Sequence, residues 1–193
     1  QAQYDPSGRS EFLNKSLNVY TNVLGTYFDI FEVQASDETY NWTMEELSKL
    51  PIKWYGGADL SRLHDLSGTA LHGRYNGVDI AITHGFIPVV MAQLKATEDN
   101  IPFFWWEEQG WLTLCNSEVI DYDDVVKWFK KMREMGFRIR WVGYDRRYSR
   151  EFIAKMKSAN FKVKDQPQRY VEKTEPFREI EKQIKQKKFY HVH

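Results

Sequence analysis

Hydrophobic positions recur along the chain with two different periods. Over residues 10–25, Phe12, Leu13, Leu17, Tyr20 and Leu24 fall roughly at helical spacing and predict a short amphipathic helix. Thr43 followed by Glu46 is a capping-box pattern, in which a hydroxyl and a carboxylate satisfy each other's backbone N–H groups. It predicts a helix over 44–50 that Pro51 stops. From Ile52 the pattern shifts to alternation. Three short runs, at about 53–60, 67–75 and 78–86, read as consecutive strands. Asn76-Gly77 between the last two is a strong hairpin signal, because a two-residue turn of this kind needs positive φ at both positions. The three strands form an antiparallel meander.

The second half changes rhythm again. Residues 91–97 suit a short helical turn, and a loop follows around Asn100 to Pro102. The aromatic run FFWWEE (103–108) predicts a strand, and LTLCN (112–116) suits another. Asp121 can cap a helix whose Val125, Trp128, Phe129 and Met132 share one face, with Gly136 closing it. RIRWVGY (138–144) is a strand ending at Asp145, residues 149–160 a helix, residues 161–166 a strand, and residues 176–188 a helix that Pro176 can start. Helix alternating with strand is the pattern of a parallel sheet covered by helices. Joined to the meander, it predicts an α/β fold with a mixed sheet of the ribonuclease H type, flanked by helices. No internal repeat or low-complexity tract interrupts it.

Composition narrows the class. The chain has 193 residues, 42% of them hydrophobic and 16% aromatic, enough for a sizeable core and unlike a disordered chain. No run approaches the roughly 20 apolar residues of a membrane span, and the N-terminal QAQYDPSGRSEF lacks a signal-peptide core. The single cysteine, Cys115, excludes a disulfide framework or a zinc knuckle and suits a reducing compartment. A net charge of zero hides a division. Residues 1–126 carry 7 basic and 19 acidic side chains, whereas residues 127–193 carry 20 and 8. Two solvated faces would suffice to explain this; so would carboxylates holding metal beside a basic surface that meets a polyanion.

Two acids stand where strands are expected to end: Asp59 after WYGGA and Asp145 after RWVGY. A carboxylate just past a buried strand points into the crevice where α/β proteins place their sites. Two of them on neighbouring strands could hold hard divalent cations through oxygen, or each could simply cap the next turn. Asp65, six residues after Asp59, either returns to the same place or is a turn residue. Arg146, Arg147, Arg150, Lys155 and Lys157 begin directly after Asp145, as a clamp on a phosphate backbone or as a solvated helix face. Trp54, Trp128 and Trp141 fall on apolar faces and are expected in the core, while Trp105, Trp106 and Trp111 are ambiguous. His64 reads as a loop residue near the acids. His191 and His193 share a strand face but lack cysteine partners, so zinc is not expected.

Three blocks carry a resemblance. They are WYGGADLSRLHDLSGTAL, then WWEEQGWLTLCNSEVIDYDDVVKWFKKM, then RIRWVGYDRRYSREFIAKMKSANFKV. GGxDLS with a further Asp six residues on, W-x-x-Q-G-W and G-Y-D-R, in this order and spacing, resemble the nuclease domain of the large terminase subunit of tailed bacteriophages. The likeness runs from about Glu11 to His193. It implies a metal-dependent endonuclease that cuts concatemeric viral DNA during packaging, with Mg²⁺ or Mn²⁺ as a pair of ions. Asp59 and Asp145 match its first two catalytic carboxylates and Asp65 an accessory acid, while the third catalytic acid is expected beyond His193. It further implies double-stranded DNA, the terminase small subunit, the portal and an ATPase domain of the same polypeptide as partners, in the host cytoplasm. Residues 1–50 resemble the connector from that motor, and residues 51–193 the nuclease domain, C-terminally incomplete. No Walker-type phosphate loop occurs in these residues. The alternatives are another ribonuclease H-like nuclease of the resolvase type, or a non-catalytic DNA-gripping or assembly module.

Overall fold

The computed structural model describes residues 28–61, 66–146, 150–167 and 170–192. The predicted helix over 10–25 lies outside them, as do His64, Asp65, Arg147 and His193. Two short helices lead in, α1 (Ile30–Asp37) and α2 (Met44–Lys49). Asp29 caps α1 by accepting the Phe31 N–H. At α2 both halves of the predicted capping box form: Thr43 N–H donates to Glu46 Oε2 and Glu46 N–H to Thr43 Oγ1. The meander follows as β1 (Trp54–Asp59), β2 (Ser67–Tyr75) and β3 (Val78–Pro88). Asn76 and Gly77 turn the hairpin with φ of 49° and 80°, so Tyr75 pairs with Val78.

Then come α3 (Val89–Glu98), α4 (Phe103–Glu108), β4 (Leu112–Cys115), α5 (Tyr122–Glu134), β5 (Ile139–Tyr144), α6 (Arg150–Ser158), β6 (Val163–Asp165), α7 (Tyr170–Lys185) and β7 (Phe189–Val192). The run FFWWEE is therefore a helix, not the expected strand. Its residues bury with helical spacing, Phe103 buried and Trp106 half-buried while Phe104 and Trp105 are exposed, and Trp106 N–H reaches back to the Pro102 carbonyl. Four successive aromatics raise strand propensity, but burial on one side only decides the conformation. Helix α7 also differs: it begins at Tyr170 and holds Pro176 inside it rather than at its start. Pro176 is exposed, so water can serve the carbonyl that loses its partner.

Among the described residues the strands form one mixed sheet in the order β4-β3-β2-β1-β5-β6, with β7 also on β3. Strands β1, β2 and β3 pair antiparallel, and every other pairing is parallel. The outer edge of β3 is shared end to end: β7 takes Asp79–Ile82 and β4 takes Gly85–Pro88. One sheet face carries the main core, in which Trp54, Leu71, Ile80 and Val142 meet Val125, Phe129 and Met132 of α5 and Phe152 and Met156 of α6. Helix α5 approaches closely because Gly56 lies beneath it; a Cβ there would stand 3.0 Å from Phe129 Cε1 and 2.8 Å from Val142 Cγ2.

His84 sits on this core face of β3. Its ring stacks on Trp128 with centroids 5.9 Å apart, and Nε2 lies 2.9 Å from Thr113 Oγ1. Burial, helped by the Lys131 charge, lowers its pKa from 6.5 to about 4. The unfolded chain therefore takes up a proton below pH 6.5 that the folded chain refuses until about pH 4. This contribution to stability is complete above pH 6.5 and lost as the pH falls towards 4. Urea titrations are expected to show about 2–3 kcal/mol less stability at pH 4.5 than at 7 from this group. In His84→Gln that share of the difference should vanish; an unchanged pH dependence in the variant would assign it elsewhere.

Candidate active site

The opposite sheet face is largely open and floors a cleft of about 810 Å³. Its geometry follows from strand alternation. In β1 the core side takes Trp54, Gly56 and Ala58, which leaves Tyr55, Gly57 and Asp59 for the cleft. In β5, Val142 is buried, so Trp141, Gly143 and then Asp145 face the same cleft. The parallel register pairs Gly57 with Gly143 and Ala58 with Tyr144. One residue further on stand Asp59 and Asp145, at the same end of adjacent strands. On its other side Asp59 pairs with Gly68, which offers no side chain to crowd it. Asp59 is exposed and Asp145 half-buried. Ser61 N–H donates to Ser67 Oγ at 2.8 Å, so the described residues that follow Asp59 and those that open β2 are held together.

Two carboxylates side by side offer hard oxygen donors, the chemistry that suits Mg²⁺ or Mn²⁺. Among the described residues no group of three or more His, Cys, Asp or Glu side chains could hold a metal ion. Asp59 and Asp145 offer oxygen donors of the kind such an ion takes. Several other acids have structural partners. Asp121 caps α5 by accepting the Asp123 N–H at 2.8 Å, and Asp124 pairs with Lys127. Glu107 accepts the Leu114 N–H.

The basic side chains divide. Arg146 is exposed and bound through Nε to Asp165 Oδ2 at 2.6 Å, and Arg150 is exposed at the start of α6. Lys155 turns the other way, to Asp123 at 2.7 Å and Glu151 at 3.5 Å, and so ties α6 to α5. His191 lies with Nε2 2.7 Å from Thr83 Oγ1. Cys115 is buried, and burial raises its thiol pKa to about 11, which disfavours the reactive thiolate.

Several cleft residues escape the sequence reading. Trp141, expected in the core, is half-buried on the cleft side, against Tyr55 (centroids 5.2 Å apart) and under Lys164 Nζ at 4.8 Å from its ring. The alternation that places Asp145 on the cleft side places Trp141, four residues earlier, there too. Trp54 and Trp128 are core residues as expected. Trp106 and Trp111 stand at the cleft rim, Trp111 edge-on to the exposed Trp105. His72 also faces the cleft, with Nε2 3.0 Å from the buried Asp79, which Arg74 grips through two hydrogen bonds. Burial alone would raise the Asp79 pKa, but the His72 and Arg74 hydrogen bonds outweigh it and hold it at about 2.

A mixed sheet with three antiparallel strands running into parallel ones, and two acids at adjacent strand ends, defines a ribonuclease H-like domain. The chain belongs to the endonuclease-domain family of the terminase large subunit, whose model matches residues 4–193. Its fold is similar to the large terminase of bacteriophage HK97, with a TM-score of 0.73 and 20% identity over 98% of this chain and 39% of that one. Matches of TM-score 0.46 and 10% identity are found to the large terminase nuclease of thermophilic phage G20c, which covers 74% of this chain, and to its magnesium-bound form, which covers 75%. The chain spans 59% and 60% of those two chains. No curated protein matches by sequence.

Proposed function

We propose that this domain is a divalent-metal-dependent endodeoxyribonuclease that cuts concatemeric viral DNA during genome packaging. Asp59 and Asp145 are its cation-holding catalytic carboxylates and Asp65 an accessory ligand. The observation that carries this reading is the parallel pairing of β1 with β5, which sets Asp59 and Asp145 side by side at the mouth of the cleft. Asp59 and Asp145 would hold a pair of Mg²⁺ or Mn²⁺ ions, which when bound would make a water nucleophilic near neutral pH and offset charge on the departing 3′ oxygen. The chain's own part is to fix the two carboxylates on rigid strand ends and to hold the DNA backbone beside them. The ATPase domain of the same polypeptide, the small subunit and the portal are the partners this role needs, in the host cytoplasm. Among the described residues no helix is long and apolar enough to cross a membrane.

Arg146, Arg147 and Arg150 follow Asp145 in sequence and are the side chains that grip DNA backbone. Replacing all three with Ala is expected to weaken binding to every DNA sequence alike. For every phosphate no longer neutralised, the slope of log K against log salt should become shallower by about 0.9. Fluorescence anisotropy with two unrelated duplexes over a salt series measures both quantities. An unchanged slope would return these residues to a solvated helix face.

The decisive experiment for the site is Mg²⁺- or Mn²⁺-dependent plasmid cleavage by a large terminase that carries this domain, with and without Asp59→Asn.

A further inference from the structure

At the end of β6 two consecutive residues go to opposite sides of the sheet. Strand β6 pairs with β5 so that Tyr144 stands opposite Asp165, and Gln166 N–H donates to the Tyr144 carbonyl. Alternation then puts Gln166 on the cleft side with Asp145, and both line the cleft. Asp165 lies on the other side, and there it meets Arg146, the residue directly after Asp145. Arg146 Nε is 2.6 Å from Asp165 Oδ2, and the Arg146 side chain is 82% exposed against 27% for Asp165. Arg146 is not among the residues that line the cleft.

Resting on the reading of Asp59 and Asp145 as cation-holding groups, we propose that Asp165 is a positioning residue for that pair: it holds the Arg146 guanidinium on the helical side of the strand end. A fixed positive charge is thereby kept out of the place a divalent cation takes. The physical need is plain. A guanidinium on a long flexible arm binds carboxylates in a fork geometry, and it never loses its charge. Arg146 is attached one residue from one carboxylate, and β1 presents a second on the neighbouring strand end. Released, it would fold onto them and compete with the cation. Against the exposed Asp59, Asp165 is favoured because its partly buried carboxylate is screened less by solvent, and against Asp145 because it lies on the side of the sheet to which the Arg146 side chain already goes. The charge stays near the strand end, where it can meet a phosphate, without entering the ligand set.

The test is Mn²⁺ binding by the 193-residue chain, read from the loss of the free-ion electron paramagnetic resonance signal, with circular dichroism to check folding. The wild-type chain is expected to bind Mn²⁺ and Asp59→Asn to lose it. Asp165→Asn is expected to weaken Mn²⁺ binding by about fivefold, the scale of one exposed ion pair competing at the site. Adding Arg146→Gln to Asp165→Asn should restore binding to about the wild-type level, and Asp165→Glu should stay near it. Unchanged affinity in Asp165→Asn overturns the proposal. So does a loss that Arg146→Gln fails to restore, because Asp165 would then act as a ligand or as a support of the fold. If wild-type binding does not depend on Asp59, the reading of the carboxylate pair itself falls.

Discussion

Plasmid cleavage is expected to disappear when Asp59 is replaced with Asn in a large terminase that carries this domain. Asparagine keeps the size and planarity of the side chain and removes the negative charge that holds the cations. Asp59 is exposed and faces the glycine at position 68 across the sheet, so the change leaves the packing of β1 undisturbed. Circular dichroism and the urea midpoint should therefore match the parent protein. The rate loss should be at least about 10²-fold, the scale on which a single charge interaction of the transition state is removed. Asp145→Asn is expected to do nearly the same, and Asp65→Asn to cost less, as an accessory ligand. Undiminished cleavage by Asp59→Asn would reject the mechanism, and a non-catalytic DNA-gripping module would then be the better description.

The second large effect is on stability. Trp54→Ala should cost about 3–5 kcal/mol in urea unfolding, the range for deleting a large core aromatic. That is a substantial part of the roughly 5–15 kcal/mol typical of a whole domain. Trp54 is fully buried, sits edge-on to Phe137 with centroids 5.1 Å apart, and lies under β2 so closely that a Cβ on Gly73 would be 2.9 Å from its ring. The surrounding strands cannot close over the space it leaves. Trp105→Ala is the matched control: that ring is 46% exposed and should cost less than about 1 kcal/mol. Equal losses in the two variants would contradict this assignment of the core.

How much of this is legible in the sequence depends on how local the deciding physics is. The hairpin at Asn76-Gly77 and the Thr43 and Asp121 caps are settled by a few neighbouring residues, and they appear where the sequence places them. So do the ends of β1 and β5, because an apolar run halted by an acid is a local signal. The misses are decided at a distance. The aromatic run at 103–108 takes its conformation from what Phe103 and Trp106 pack against: their rings meet edge-on, and Phe103 joins a small separate cluster with Ile87, Ala92 and Leu112. Trp141 reads as core for being large and apolar, although the residue after it, Val142, already occupies the core side. Strand β7 has four residues, and α1 has only a weak apolar stripe, so neither is distinctive alone. In the candidate site, the positions of Asp59 and Asp145 are readable from strand ends. Those of Asp165 and Gln166 are not, since they come from register with β5 and not from any motif.

The attachment of α1 to β7 has a mechanical consequence. Ser36 Oγ bonds both the carbonyl and the N–H of Phe189, Asp37 Oδ1 accepts the His191 N–H, and Tyr40 donates its hydroxyl hydrogen to the Lys187 carbonyl. From the other side, Tyr190 donates its own to the Trp42 carbonyl. Tension applied to the chain ahead of Asp29 therefore reaches the sheet at β7, spread over several hydrogen bonds that share the load. From β7 it passes into β3, then β2, then β1, since these strands are bonded in that order. The strand that carries Asp59 is thus in series with any pull on the N-terminal side. Such a pull loads the far edge of the sheet, on β3, before it strains the register between β1 and β5 that sets the two acids side by side.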